Sequence, residues 1–236
     1  MMMMSMKRKI TGHPLGVTYN ARSSHALTVV AAIAWCGVLL QLYLSLRLAA
    51  DSGKSLVDGL VGFFGYFTVL TNIFVALATT LPLTFGNSRA GRWFGSAMTL
   101  GCATTAIVFV GVVYHLLLRN LWAPAGLQWI ADVILHYAVP IALLVYWIMF
   151  PPTQELPRWA PLAWCIYPLI YIAYALARGA LLGSYPYHFI DVTGLGYSRV
   201  LLNSLGLLVV FGVLGGAVYA IARLQTRAAS GAPPPR

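Results

Sequence analysis

The hydrophobic and polar positions of this chain form six long apolar blocks, separated by short segments rich in charged residues, proline and glycine. The blocks are Ala26–Leu46, Gly59–Leu81, Trp93–Leu118, Leu127–Phe150, Ala160–Leu182 and Val200–Ala222. Each is long enough to cross a bilayer core, which needs about 20 apolar residues in a helix. Because the bilayer offers main-chain polar groups no water, each block is predicted to be an α-helix. The pattern predicts an all-α, polytopic membrane protein built as a bundle of six transmembrane helices.

Composition narrows the class of protein further. Of the 236 residues, 60% are hydrophobic and only 8% are charged, whereas about 25% of a typical soluble domain is charged. So few charges could not cover the surface of a soluble domain of this length. An ordinary soluble enzyme, a disordered chain and a nucleic-acid-binding domain are therefore excluded, despite the net charge of +10.

The basic residues predict the direction of the helices. Six spans place both termini on one side, and that side carries ten of the fifteen lysines and arginines: Lys7, Arg8, Lys9, Arg22, Arg89, Arg92, Arg158, Arg223, Arg227 and Arg236. Basic loops favour the cytoplasm. We therefore expect a cytoplasmic N-terminal tail (residues 1–25), a six-helix transmembrane domain (26–223) and a disordered C-terminal tail on the same side (224–236).

Polar residues within the apolar blocks are costly in lipid and point to function. Thr68 lies about nine residues after Gly59, and His136 lies about nine residues after Leu127. At 1.5 Å per residue both would be roughly 13 Å below the outer surface. The second and fourth blocks therefore bring a hydroxyl and an imidazole to the same level.

Three neighbouring side chains complete a set that acyl transfer requires. Asp132 precedes His136 by four residues on the same helix face, and could orient the imidazole as a base. Asn72 follows Thr68 by four residues, and its amide could donate to a developing oxyanion. Thr71 is a rival nucleophile at nearly the same depth as Thr68.

Structural interpretations of the same residues stay open at this point. An intramembrane threonine commonly bonds the carbonyl four residues earlier in its own helix. His136 could be a hydrogen-bond partner between helices, Asp132 could cap the outer end of its helix, and Asn72 could join helices together. Neither His115 nor His136 has a second histidine or cysteine at metal-ligand spacing, so no metal and no cofactor are predicted.

The outer loops supply candidates for substrate contact. The aromatic segment after the fifth block contains Tyr187, His188 and Asp191, and could either anchor the chain at the membrane interface or form a lid over an outward-facing cavity. Arg178 could pair with Asp191 and hold this lid, or could bind an anionic head group. Two further candidates for substrate contact are Tyr137 and His115, and His115 could instead have an interfacial role.

Three motifs resemble those of a known family. They are Phe-Thr-x-x-Thr-Asn at residues 67–72, Asp-x-x-x-His-Tyr-x-x-Pro at 132–140, and Tyr-Pro-Leu-x-Tyr … Arg-Gly … Tyr-Pro-Tyr-x-Phe-x-Asp between 167 and 191. Together they resemble the bacterial Pr6Pr six-helix membrane proteins, over nearly all of the six-helix region. The Pr6Pr proteins are similar to the eukaryotic androgen-induced protein family and its androgen-dependent, tissue-factor-regulating relative.

The resemblance implies an activity. The eukaryotic members are intramembrane threonine hydrolases that cleave esters of fatty acids with hydroxy fatty acids. By this resemblance Thr68 is the nucleophile and His136 is the base, and the location is the inner (plasma) membrane of a bacterium. The predicted partners are membrane lipids and a lipid-ester substrate, with no nucleic acid. The alternatives are a non-enzymatic bundle that binds or carries lipids or small molecules, and an assembly protein without a ligand.

Overall fold

The computed structural model describes residues 19–230. Within this range the chain is helical and has no strand. The helices are α1 (Ala21–Asp51), α2 (Leu56–Phe63), α3 (Phe67–Thr84), α4 (Arg89–Phe94), α5 (Ala97–Leu118), α6 (Leu127–Met149), α7 (Ala160–Leu182) and α8 (Val192–Ser230). Six of them, all but α2 and α4, are long and apolar enough to cross a membrane. The predicted all-α bundle of six transmembrane helices is confirmed.

The first and last helices extend past the predicted limits of the transmembrane domain. The helix α1 begins at Ala21, inside the predicted N-terminal tail, and α8 continues to Ser230, inside the predicted disordered tail. Two contacts hold the end of α8. The Gln225 amide donates to the carbonyl of Trp147 at 3.3 Å, and the Thr226 hydroxyl donates to that of Ala222 at 3.1 Å. The remaining tail residues, 1–18 and 231–236, lie outside the described range.

The second apolar block is not one continuous helix. A capping box of Ser55 and Asp58 starts the short α2, and the chain leaves helical geometry before α3 begins at Phe67. Two carbonyls left free at this break accept bonds from α7: Gly65 from the Tyr171 hydroxyl at 3.0 Å, and Phe64 from that of Tyr174 at 3.2 Å. Hydrogen bonds from α7 therefore stabilise the break. The residues that follow it form the first turn of α3.

Two π-helical turns lie side by side at the same end of the bundle. Residues Tyr114–Leu118 form one at the end of α5, and Ile134–Ala138 form the other inside α6. The second has a clear cause, because Pro140 has no N–H to give to the carbonyl four residues earlier. At Gly111 an added Cβ would lie 3.1 Å from the His136 carbonyl, so the absence of a side chain there lets α5 approach α6 closely.

The opposite half of the bundle, nearer the ends of the described chain, is closely packed. The Trp147 side chain is fully buried and donates to the Val218 carbonyl at 3.0 Å. Trp164 donates to the Met98 carbonyl at 2.9 Å. An added Cβ on Gly101 would lie 2.5 Å from the Trp164 ring, so α5 and α7 touch directly here.

Candidate functional site

Thr68 and His136 meet across the interface between α3 and α6. The Thr68 hydroxyl oxygen lies 3.3 Å from Nε2 of His136. Both side chains are largely buried, with exposed fractions of 9% for Thr68 and 13% for the His136 side chain. The depth argument from the sequence was wrong in its detail, because Thr68 lies in the first turn of α3 rather than deep in a continuous helix. The predicted meeting of the two groups is nevertheless present.

The position of Thr68 explains why its hydroxyl is available. The carbonyl four residues earlier belongs to Phe64, which lies in the break before α3 and accepts a bond from Tyr174. The interpretation in which Thr68 bonds its own helix is therefore wrong. Since no helical turn precedes it, the hydroxyl points across to the imidazole.

The other side of the imidazole is held by Asp132. Nδ1 of His136 lies 3.0 Å from the main-chain carbonyl of Asp132 and 3.2 Å from its carboxylate oxygen Oδ1. The carbonyl contact has hydrogen-bond geometry, whereas Oδ1 has no hydrogen-bond partner among residues 19–230. We therefore assign the Nδ1 proton to the carbonyl bond, with the carboxylate beside it. This tautomer leaves Nε2 free to accept the Thr68 proton.

Tyr114 completes the arrangement and was not singled out by the sequence. Its ring stacks on the His136 ring with centroids 3.8 Å apart and planes 13° apart. Its hydroxyl donates to Oδ2 of Asp132 at 2.5 Å. Tyr114 and His136 both lie in π-helical turns, which are frequent at functional sites. One tyrosine thus fixes both the plane of the base and the carboxylate next to it.

Two of the predicted supporting residues have structural roles instead. The Asn72 amide donates to the carbonyls of Thr68 at 2.8 Å and Leu135 at 3.3 Å, so it joins α3 to α6 and has no proton left for an oxyanion. The Thr71 hydroxyl lies 3.1 Å from that of Tyr167 and away from His136. Thr68, and not Thr71, faces the imidazole.

Other hydrogen-bond donors lie close to the Thr68 hydroxyl. The first main-chain N–H groups of a helix have no acceptor within it, and the Tyr66 side chain does not cap α3. The Thr68 N–H points to the Tyr187 hydroxyl at 3.4 Å. Burial raises the pKa of the Tyr187 phenol above its ordinary value, so this hydroxyl keeps its proton.

A cavity of about 600 Å³ lies in front of this group. Thr68, His136, Asp132, Tyr187 and His188 are among the residues that line it, together with residues of α1 and α2. Its wall contains polar and charged residues of α1, α2 and the loop between them, together with apolar residues that include some from the end of α5 and the loop after it. These lining residues are Gln41, Ser45, Leu48, Lys54, Asp58, Phe63, Leu118, Leu121 and Trp122.

Four predicted substrate contacts do not line this cavity: His115, Tyr137, Arg178 and Asp191. His115 and Tyr137 bond each other at 3.2 Å on the exposed side of the helices. The predicted Arg178–Asp191 pair is wrong. Arg178 donates to the carbonyls of Val61 at 3.1 Å and Ser184 at 3.3 Å, so it ties α2 and the aromatic loop to α7.

Asp191 turns instead to the start of α8. It accepts bonds from the hydroxyl of Thr193 at 2.5 Å and from its N–H at 2.9 Å, and these bonds lower the pKa of the Asp191 carboxyl. The aromatic loop contacts the site through Tyr187, whose ring stacks on Phe189 with centroids 5.1 Å apart. The loop therefore covers the Thr68 end of the cavity, and the predicted ion pair between Arg178 and Asp191 does not hold it there.

The arrangement can transfer a proton from a hydroxyl to an oriented imidazole beside a solvent-accessible cavity and a set of main-chain donors. These are the parts of a nucleophile, a base and an oxyanion site. No protein-family model, curated protein or solved structure matches this chain.

Proposed function

We propose that this protein is an intramembrane hydrolase of lipid (fatty-acid) esters, with Thr68 as nucleophile and His136 as base. The observation behind the proposal is the 3.3 Å contact between the Thr68 hydroxyl and Nε2 of His136, at the wall of the cavity. Nucleophile–base contacts are often this long when no substrate is bound. The sequence resemblance to the Pr6Pr family points in the same direction.

The first half of the reaction forms an acyl-enzyme. His136 accepts the proton of the Thr68 hydroxyl at Nε2, and the oxygen attacks the ester carbonyl. The Asp132 carboxylate lies 3.2 Å from Nδ1 and stabilises the imidazolium. The imidazolium then gives its proton to the departing alkoxide, so the alcohol leaves and the acyl group stays on Thr68.

The developing oxyanion is stabilised by the start of α3. Main-chain N–H groups in the first turn and the positive end of the helix dipole favour negative charge there. The Tyr187 hydroxyl, 3.4 Å from the Thr68 nitrogen, is a further donor at the same place. This role replaces the one that the sequence suggested for the Asn72 amide.

The second half of the reaction releases the fatty acid. Water from the cavity gives a proton to His136 and attacks the acyl-threonine, and the proton then returns to the Thr68 oxygen as the acid leaves. Apolar walls bind the hydrocarbon part of the substrate, with about 0.8 kcal/mol for each buried CH₂. The proposed partners are therefore membrane lipids and an ester among them.

Active-site labelling tests the proposal. The purified protein in detergent is treated with a biotinylated fluorophosphonate, which reacts with activated hydroxyls, and the adduct is located by mass spectrometry. We expect labelling on Thr68, lost in Thr68→Ala and His136→Ala and retained in Thr68→Ser. Thr71→Ala is the matched control, because Thr71 is a buried threonine of the same helix that does not face His136.

The outcomes separate the candidate functions. Labelling that survives in both Thr68→Ala and His136→Ala contradicts the proposed pair. Binding of a fluorescent fatty-acid ester without labelling or turnover would instead favour a lipid carrier that uses the same cavity. Normal gel-filtration profiles for all variants show that the bundle is retained.

A further inference from the structure

A second, smaller pocket lies behind Thr68. It is almost wholly apolar and holds about 50 Å³, room for roughly three to five water-sized groups. Its wall is built from α3, α5, α7, α8 and the aromatic loop. Four residues line both this pocket and the main cavity: Thr68, Tyr114, Leu118 and Tyr187. The nucleophile therefore lies at the junction of two spaces with different character.

The base is present on only one side of this junction. His136 and Asp132 line the main cavity and do not line the small pocket. In the proposed reaction His136 must reach the leaving alkoxide to give it a proton, and must later reach the attacking water. The alcohol half of the ester therefore occupies the main cavity. The acyl half extends from Thr68 in the other direction.

The small pocket also reaches the lipid-facing side of the bundle. Ile172 of α7 and Leu207 and Leu208 of α8 line it and are partly exposed. On a transmembrane helix such exposed apolar side chains contact acyl chains of the bilayer. A long chain can therefore lie with its first carbons in the pocket and its remainder between α7 and α8.

One polar group in this apolar wall has no partner. Ser204 is 6% exposed, and its hydroxyl makes no hydrogen bond within residues 19–230. Two tyrosine hydroxyls of the same wall are engaged, that of Tyr114 with Asp132 and that of Tyr171 with the Gly65 carbonyl. A buried hydroxyl without a partner is costly. A ligand oxygen at this depth would satisfy it.

We infer that the small pocket binds the acyl chain of the ester, and that Ser204 hydrogen-bonds an oxygen substituent on that chain. This inference rests on the proposed function and extends it. The preferred substrates are esters whose acyl chain carries a hydroxyl or keto oxygen a few carbons from the ester carbonyl. The wide cavity accepts the alcohol half, releases it after acylation and admits the water.

The hydrolysis of a series of esters tests the role of Ser204. All esters share one fluorogenic alcohol, and their decanoyl chain is either unsubstituted or carries one hydroxyl, at a different carbon in each ester. For one hydroxyl position we expect kcat/KM about five- to tenfold above that of the plain ester. In Ser204→Ala this ratio falls to about one. Leu205→Ala is the matched control, because the neighbouring Leu205 is 57% exposed and lies outside the pocket.

A crosslinking measurement locates the acyl chain independently of turnover. A decanoyl ester with a diazirine near the end of its acyl chain is irradiated with the purified protein, and the adduct is mapped. We expect adducts on the pocket residues of α7 and α8, reduced in the pocket-filling variant Ser204→Phe and unchanged in Leu205→Phe.

The results distinguish the two proposals. Turnover with adducts only on α1 and α2 overturns the acyl pocket and leaves the hydrolase in place. Adducts on α7 and α8 without any turnover keep the pocket and overturn the hydrolase. Turnover with a hydroxyacyl preference that Ser204→Ala does not change overturns the role of Ser204.

Discussion

The two ends of this bundle treat buried threonines in opposite ways. In the closely packed half, Thr79, Thr104 and Thr105 bond carbonyls of their own helices at 2.8 to 2.9 Å. At the other end the Thr68 hydroxyl, which is also largely buried, points to His136 instead. The residue type is the same. For these four residues the difference is whether a regular helical turn precedes the hydroxyl.

The comparison shows how a hydroxyl can remain available to a group on another helix inside an apolar bundle. A threonine with a preceding turn satisfies itself locally and becomes part of the packing. A threonine at a helix start has no such acceptor, and it gains the free N–H groups of that start. The break before α3 thus provides both an available hydroxyl and donors near it. Carbonyls freed by the break are satisfied by α7, so the arrangement is stable.

The largest expected effect comes from replacing His136, the proposed base, which lies at the end of the bundle that contains the cavity. In His136→Gln, kcat/KM for a fluorogenic fatty-acid ester should fall by roughly 10²- to 10⁴-fold, because no group remains to accept the Thr68 proton. His115→Gln should keep most of the activity, since His115 is exposed and does not line the cavity. Equal losses in the two variants would contradict the assignment of His136.

The next largest effect comes from removing the hydrogen bond that Tyr114 donates to Asp132 beside His136. Tyr114→Phe keeps the ring that stacks on His136 but removes the bond to Asp132. The free energy of unfolding should fall by about 1.5–3 kcal/mol, since a buried carboxylate loses its charge-assisted donor. Thermal unfolding in detergent measures this. Tyr137→Phe is the control, because its hydroxyl bonds only the exposed His115, and a similar loss there would argue against the buried network.

The packed half of the bundle should respond to added volume and not to lost polar groups. Gly101→Ala places a methyl group 2.5 Å from the Trp164 ring, and overpacking should cost about 1–3 kcal/mol of stability. At Gly216 an added Cβ meets nothing within 4 Å, so Gly216→Ala should be neutral. Thermal unfolding separates the two. Fluorophosphonate labelling of Thr68 should survive in both variants, and its loss in Gly101→Ala would show that the two halves are coupled.

The smallest expected effect concerns the N-terminal cap of α2, where Asp58 lines the cavity. Bonds from the Ser55 hydroxyl and N–H lower the pKa of the Asp58 carboxyl. A pKa lowered by folding stabilises the folded form above the ordinary aspartate pKa of about 4, and this stabilisation is lost as the pH falls through the folded value. The protection of α2 amides, measured relative to their intrinsic exchange rates, should therefore fall on acidification more in wild type than in Asp58→Asn. An identical pH dependence in both proteins would exclude this cap as the cause.

Particular residues show where sequence reasoning succeeded and where it failed. Thr68 and His136 were paired because both seemed equally deep in continuous helices. The second apolar block is broken before Phe67, so the depth argument does not hold, but the two side chains are in contact in the structure. Asn72 was a candidate oxyanion donor because it shares a helix face with Thr68. The alternative, that it joins helices, agrees with the structure, but spacing could not reveal which two carbonyls take its amide protons. Tyr114 was missed because its contact with His136 depends on two π-helical turns.

By itself the sequence determined that six helices cross a membrane, because the length and apolar character of each block decide this without reference to its neighbours. It also identified the few polar residues within the apolar blocks whose roles the structure has to explain. Tertiary structure alone decided which hydroxyl meets the imidazole, which carboxylate oxygen is bonded and which side of Thr68 is apolar. Those choices depend on breaks, π-turns and close approaches of helices, where shifts of a single residue rotate side chains to different partners.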